Sequence, residues 1–320
     1  MTGGKPICVI GASGFVGSHV TAALLARGTP VHGTTRDASA AKTGWLQDMA
    51  AEVASDGATL TLFSASAFDK DSLAAAMDGC DGVIMCAGSA TIEPETIPLM
   101  EALAENVSEA CLETGIERAV FTSSTGSTNP PEGEPELKRE MDHWSDPDVQ
   151  LAAKKYAAVG KTRLDQTVLG KMAASDGRFR AVTINPSMIT GPCYQPEPVT
   201  SLKSFAAILS GKRLADKVPN SSMSMIDVRD LAALHLAALD NPSASGRYFG
   251  VKKSWHWRDI LAALEQAVPG YKMPALDPEE TPVRATQFDL SRQASLGVSI
   301  RDIDEILAGL VGELTRRQMM

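Results

Sequence analysis

Residues 9–17 read Val9-Ile10-Gly11-Ala12-Ser13-Gly14-Phe15-Val16-Gly17 and set three glycines between a strand-like run and a helix-like run. The preceding Ile7-Cys8-Val9-Ile10 is short, apolar and largely β-branched, whereas Ser18 to Arg27 carries Val20, Leu24 and Leu25 at helical spacing and stops at Gly28. Strand, turn and helix therefore follow one another. In such a junction Gly11 permits the tight turn, Gly14 lets the backbone approach a pyrophosphate, and Gly17 lets helix and strand pack closely. The helix N-terminus offers unpaired N–H groups and a positive dipole end to that anion, so Gly11, Ser13, Gly14, Phe15, Val16 and Gly17 are the expected phosphate contacts. A glycine-rich turn can also serve packing alone, but a second strand candidate at 29–35 completes the β-α-β order of a dinucleotide site.

The whole chain sets bounds on that reading. Its 320 residues, 44% hydrophobic and 22% charged, describe a globular protein of one large domain with an embellishment, or of two domains. A net charge of −9 argues against a nucleic-acid or anionic-membrane partner, because both demand a basic face. There is no basic-then-apolar leader and no apolar run long enough to cross a bilayer, so a cytoplasmic location is expected. Cys8, Cys80, Cys86, Cys111 and Cys193 lack CxxC spacing and are expected as reduced thiols; the five histidines form no ligand pairs, and no metal site is expected.

Beyond the second strand, strand candidates at 58–63, 82–86, 119–123 and 180–184 alternate with helix candidates around 72–77, 94–114 and 152–174, with Gly115 closing the second of these. Such alternation predicts an α/β fold, a Rossmann-type doubly wound parallel sheet. Two regions break the rhythm. Residues 126–148 hold four prolines and many acids and read as an irregular lobe or lid, and the chain after Asn185 turns to scattered helices. The expected division is a nucleotide-binding domain at 1–185, with 225–250 returning to it, and a smaller, mainly C-terminal substrate lobe at 186–224 and 251–320.

Several motifs in order give the chain a family likeness: VIGASGFVGSHV at the start, TTRD after the second strand, GCDGV at 79–83, VFTSSTGS at 120–127, HWSD at 143–146, the helix with KTRLDQ, NPSMITGP at 185–192 and MIDVRDLAALHLAALDNPSASGRYF at 225–249. With these the chain resembles the extended short-chain dehydrogenase/reductase family, in its dihydroflavonol-reductase-like or cinnamoyl-CoA-reductase-like branch. The resemblance implies a serine, a tyrosine and a lysine as catalytic groups, which fall on Ser124, Tyr156 and Lys161. Ser124 would hold the substrate oxygen, Tyr156 would exchange the proton, and Lys161 would bind the nicotinamide ribose and stabilise the phenolate by its charge. Ser123 points away by strand alternation.

The tyrosine departs from the family's Tyr-x-x-x-Lys. Tyr156-Ala157-Ala158-Val159-Gly160-Lys161 has one residue too many, and four positions before Lys161 stands Ala157. In a helix of 3.6 residues per turn, four positions rotate about 40° and five about 140°. A π-bulge, eased by Gly160, is the expected way to bring Tyr156 and Lys161 together; otherwise Tyr156 only packs on the surface.

Cofactor choice rests on the end of the second strand. An acid there would bind both ribose hydroxyls of NAD, but Thr35 takes its place and Arg36 follows, with Lys42 as a second cation. Guanidinium matches a 2′-phosphate with parallel hydrogen bonds, which favours NADP(H); a solvated Arg36 beside Asp37 is the alternative. The resemblance further places the backbone of Cys86 and Ala87 near the nicotinamide-side ribose and phosphates, Pro186 and Ser187 near the nicotinamide amide, and Ser66 where the family commonly has an acid facing adenine. Asp227 and Asp230 read as structural pins, and Trp255-His256-Trp257 as a strand-to-helix junction. The expected activity is hydride transfer between NADP(H) and a small-to-medium organic carbonyl or secondary alcohol, by a monomer or homodimer. A nucleotide-sugar epimerase or dehydratase of the same superfamily, or a non-catalytic NADPH-binding sensor, stands as the alternative.

Overall fold

Strand and helix alternate from the start: β1 (Ile7–Ile10), α1 (Phe15–Ala26), β2 (Val31–Thr35), α2 (Ala40–Val53), β3 (Leu60–Ser64), α3 (Lys70–Met77), β4 (Gly82–Met85), α4 (Thr96–Thr114), β5 (Arg118–Thr122), α5 (Pro147–Ala152), α6 (Tyr156–Ala173) and β6 (Arg180–Pro186). There follow β7 (Met188–Thr190), α7 (Thr200–Leu209), β8 (Ser222–Asp227), α8 (Val228–Asp240), β9 (Gly246–Gly250), β10 (Lys253–His256), α9 (Trp257–Ala267), α10 (Ser291–Ala294) and α11 (Ile303–Arg316). This computed structural model describes residues 4–89 and 92–320.

The main sheet has the order β3-β2-β1-β4-β5-β6-β9, with every pair parallel. Each central strand feeds two cores. In β1 Ile7 and Val9 join one and Cys8 and Ile10 the other; in β4 Ile84 is set against Val83 and Met85, and in β5 Val120 against Ala119 and Phe121. This period of two is what a parallel sheet buried on both faces requires. Leu24, Leu25 of α1 and Leu231, Leu234 of α8 fill the first core, while Leu73 of α3, Leu103 of α4 and Leu164 of α6 fill the second. Strand order reverses between β1 and β4, and the crevice above that switch point is where such sheets bind ligands.

A third core lies in the C-terminal half. The short sheet β10-β8-β7 packs with Leu202 and Phe205 of α7, Ile260 and Leu264 of α9, and Leu307 and Leu310 of α11. Trp255 and Trp257 are both buried there, and His256 between them caps α9 by accepting the Arg258 N–H. Asp230 ties this half back to α8 by accepting the Arg301 N–H at 2.8 Å. No helix among the described residues is long and apolar enough to cross a membrane.

One boundary shifts. The helix foreseen around 152–174 is α6 and starts later, at Tyr156: a separate short α5 ends at Ala152 and Lys154 takes a left-handed φ of 56° between the two. The proline-rich stretch at 126–148 is largely irregular, as read, and is anchored at Lys138, which pairs with Phe288 in a parallel bridge and whose N–H donates to the Gln287 carbonyl at 2.8 Å.

Beneath the crevice lies a polar cluster. Arg247 of β9 and Asp165 of α6 are both fully buried, with Nε 3.2 Å from Oδ2. The same Oδ2 accepts from the Ser127 hydroxyl at 2.7 Å and from Asn185 Nδ2 at 2.9 Å, and Arg247 Nη2 donates to the Ser127 carbonyl at 2.8 Å. Trp144 covers the guanidinium face at 3.8 Å. Removing one partner strands the other charge, so Arg247→Met is expected to cost about 3–5 kcal/mol in urea unfolding, and pairing it with Asp165→Leu should recover part of that loss.

Candidate active site

The site begins at the glycine turn. Gly11, at φ 84°, donates its N–H to Thr34 Oγ1 at 3.0 Å, and Gly14 N closes on the Gly11 carbonyl at 2.9 Å. A Cβ on Gly17 would stand 2.1 Å from the Gly11 oxygen, and one on Gly11 would stand 2.8 Å from the backbone of Ala87. Only bare backbone fits. Gly14 is the N-cap of α1 and no side chain caps that end, so the first-turn N–H groups of Phe15, Val16 and Gly17 remain available to an anion. The turn, the uncapped helix and the close passage of Ala87 fit a dinucleotide pyrophosphate.

Arg36 follows β2 and Lys42 lies in α2, both exposed, and neither forms an ion pair among the described residues. Between them Asp37 turns to its own backbone, accepting the Ser39 N–H at 2.9 Å, and this bond, more than the charge of Lys42, lowers its carboxyl pKa. Both cations are thus free to meet a phosphate. Ser66 follows β3, and its hydroxyl accepts the Phe68 N–H.

The far side of the crevice is built on β4, β5 and β6. Cys86 continues β4, its N–H donating to the Ile10 carbonyl at 2.9 Å, and burial pushes its thiol up to about 12. Ser124 has extended backbone after β5, and its Oγ accepts the Gly126 N–H at 3.0 Å. That bond uses a lone pair and leaves the hydroxyl proton for another partner. Asn185 Nδ2 donates to the Ser124 carbonyl at 3.1 Å, which ties the serine to the buried cluster below. Pro186 ends β6 opposite Gly250, and Ser187, half-buried, leads into β7.

Lys161 enters from α6. Its Nζ donates to the Thr122 carbonyl at 2.6 Å, and burial, outweighing the attraction of Asp165, pushes its pKa down to about 8. Behind Thr122 lies His235, whose Nδ1 stands 2.7 Å from the Leu231 carbonyl and whose Nε2 stands 2.8 Å from Thr122 Oγ1. The carbonyl requires the proton on Nδ1, so Nε2 accepts from the threonine hydroxyl.

Tyr156 does not join this group by the expected route. The helix is α throughout and no π-bulge forms, so Tyr156, its first residue, keeps the rotation of about 140° from Lys161. It shares a helix stripe with Gly160, which packs on Met100 and the Thr96 carbonyl of α4, whereas Ala157 shares the stripe of Lys161. Tyr156 is half-buried and its hydroxyl makes no hydrogen bond among the described residues.

Two residues at the turn gave no sign in the sequence. Gln195 Nε2 donates to the Ser13 carbonyl at 3.2 Å and to Ser18 Oγ at 3.0 Å, folding the segment after β7 over the glycine turn. His19 stands 3.0 Å from the Pro192 carbonyl and against the Tyr194 ring. Neither lies in a motif with chemical spacing.

Gly17→Ala is expected to cost about 1–3 kcal/mol by overpacking and to weaken NADPH binding by at least about tenfold in a fluorescence titration, since the turn must open. Burial holds His19 and His235 neutral, lowering each from 6.5 to about 4. Their contribution to stability is complete above about pH 6.5 and is lost as pH falls towards 4, up to about 3 kcal/mol each. Urea midpoints measured between pH 7 and pH 4.5 should fall accordingly, and less steeply in His235→Gln.

Comparison with known proteins agrees with this geometry. The family model described as the NAD dependent epimerase/dehydratase family matches residues 7–250. Cinnamoyl-CoA reductase 1 of Petunia hybrida is 31% identical, over 98% of this chain and 93% of that protein, and cinnamoyl-CoA reductase 2 of Arabidopsis thaliana is 32% identical over the same shares. Among solved structures, vestitone reductase from alfalfa (Medicago sativa) has a TM-score of 0.79 at 22% identity, covering 99% of this chain and 100% of that one. Yeast methylglyoxal/isovaleraldehyde reductase Gre2, complexed with NADPH, has a TM-score of 0.81 at 18% identity, covering 98% and 100%. The family match and the identity over nearly the whole length agree: this chain belongs to the NAD dependent epimerase/dehydratase family, as an extended short-chain dehydrogenase/reductase of the dihydroflavonol-reductase/cinnamoyl-CoA-reductase-like branch.

Proposed function

We propose that this protein is an NADP(H)-dependent reductase of a small-to-medium organic ketone or aldehyde, equally a dehydrogenase of the matching secondary alcohol. The observation that carries the reading is the uncapped glycine turn after β1 in a parallel sheet whose order reverses between β1 and β4, with Lys161 held on the end of β5 through the Thr122 carbonyl, Ser124 two residues further on, and Arg36, in no ion pair among the described residues, after β2. Arg36 and Lys42 would grip the 2′-phosphate, Gly11 to Gly17 the pyrophosphate, and Cys86, Ala87, Pro186 and Ser187 would border the nicotinamide end. When bound, the cofactor supplies the hydride. Lys161 would hold the nicotinamide ribose with N–H groups not spent on Thr122, and Ser124 would fix the substrate oxygen with its free hydroxyl proton. Residues 1–185 with 225–250 would hold the nucleotide, and 186–224 with 251–320 the substrate, in a cytoplasmic monomer or homodimer. The names of curated relatives such as cinnamoyl-CoA reductase, tetraketide alpha-pyrone reductase and dihydroflavonol 4-reductase support a carbonyl substrate.

A carbonyl panel followed at the NADPH absorbance, with NADH in parallel, tests the reading. Stoichiometric NADPH consumption supports it; turnover with no net cofactor consumption favours an epimerase or dehydratase. Arg36→Glu should lower the NADPH-over-NADH preference by about 10- to 100-fold, the worth of one charge-assisted hydrogen-bonding group lost and a repulsion gained.

A further inference from the structure

The position four residues before Lys161 carries only the methyl of Ala157, because α6 runs without a bulge from Tyr156. The phase of this helix is fixed from several sides. Ala158 packs against Gly126 beside the Ser124 hydroxyl, Thr162 donates to the Ala158 carbonyl at 2.9 Å, and Gly160 abuts Met100. Tyr156 therefore stays on the stripe facing α4. What remains on the crevice side is Ser124, whose hydroxyl proton is given to no partner among the described residues, and Lys161, which spends one N–H on Thr122.

The surroundings of Lys161 suit a group that gives up a proton. On its own helix, Asp165 is already engaged with Ser127, Asn185 and Arg247. From β4 the Cys86 thiol faces it, and from α8 comes His235, both held in their neutral forms by burial. No ion pair fixes the ammonium among the described residues.

We infer that Lys161 is the proton donor of the reduction, delivering its ammonium proton to the substrate oxygen on the side of α6 where Ala157 stands in place of a phenol, while Ser124 holds that oxygen. The inference rests on the reductase reading above. As the carbonyl carbon accepts hydride from the bound dihydronicotinamide, the C=O π pair moves to oxygen, and oxygen takes one proton from Nζ. Lys161 is left as the neutral amine and regains its proton from water after the alcohol departs. A lysine pushed down to about 8 is close to the working pH at which such transfer is efficient.

The test compares wild type, Tyr156→Phe and Lys161→Arg, whose guanidinium keeps the charge but does not release a proton. Three quantities are read: NADPH affinity by fluorescence, kcat against pH on the best carbonyl of the panel, and the titration of the Lys161 ε-carbon by NMR in ¹³C-lysine protein. Tyr156→Phe should keep kcat within about twofold, and Lys161→Arg should bind NADPH yet lose about 100-fold or more in kcat. Wild-type kcat should fall tenfold per pH unit above about 8 as the ammonium is lost, and the ε-carbon should titrate at the same pH without any substrate. If Tyr156→Phe binds NADPH normally but loses about 100-fold in kcat, the phenol is the donor and the proposal falls while the reductase reading stands. An ε-carbon that titrates at the ordinary lysine value also overturns it. Should wild type bind NADPH but reduce no carbonyl, the reductase reading itself falls and takes the proposal with it.

Discussion

The mouth of the crevice depends on one guanidinium and one carboxylate held away from water. Arg247 and Asp165 come from β9 and α6, and between them they collect Ser127 from the turn after β5 and Asn185 from β6. An apolar pair could match or exceed their contribution to stability, since desolvating two ions costs several kcal/mol. It could not fix position. Only directed bonds hold the turn at 125–128 against the helix, and that turn carries the Gly126 N–H on which Ser124 Oγ rests. The side chain presented to a substrate is thus oriented from below by a charge pair that no solvent reaches.

Much of the framework was legible because a parallel sheet covered on both faces leaves apolar runs that polar strands do not mimic. The runs in β1, β4 and β5, the glycine turn and Gly115 at the end of α4 all state their conformation locally. The small sheet was not legible: β7 and β10 have three and four residues, too few for a period to show. Arg247 lies in Gly-Arg-Tyr-Phe-Gly, where nothing tells a buried guanidinium from a solvated one, and its partner is some eighty residues away in the chain. His19 meets the Pro192 carbonyl, and Gln195 meets Ser13 and Ser18, for the same reason, through folding alone. The break before α6 was hidden too, since Ala and Lys favour helix and the left-handed residue is Lys154, not a glycine.

That break decides how the extra residue before Lys161 is absorbed. A bulge inside α6 would have to rotate Ala158 off Gly126 or turn Gly160 away from α4, where a Cβ would already stand 2.9 Å from Met100. Either change loses packing that a regular helix keeps. Slack is available instead at 153–155, where the Lys155 N–H donates to the Gln150 carbonyl and the chain reverses outside any ladder. The extra length therefore goes into the connection, and Tyr156 starts α6 on the stripe facing α4. Ala157 is left on the stripe of Lys161 as a consequence of packing elsewhere.

The charge state behind the lysine follows from the same economy of water. Were His235 protonated, both its ring nitrogens would donate, Thr122 Oγ1 would have to accept, and a second cation would face Lys161 through one residue. Burial, pushing the imidazole down to about 4, prevents this. With the Leu231 carbonyl holding the Nδ1 proton, Thr122 donates to Nε2 and keeps its own carbonyl for Lys161. The ammonium then meets an oxygen in front and a neutral ring behind. It is anchored by a dipole instead of a full negative charge, which binds it in place while leaving its proton loosely held.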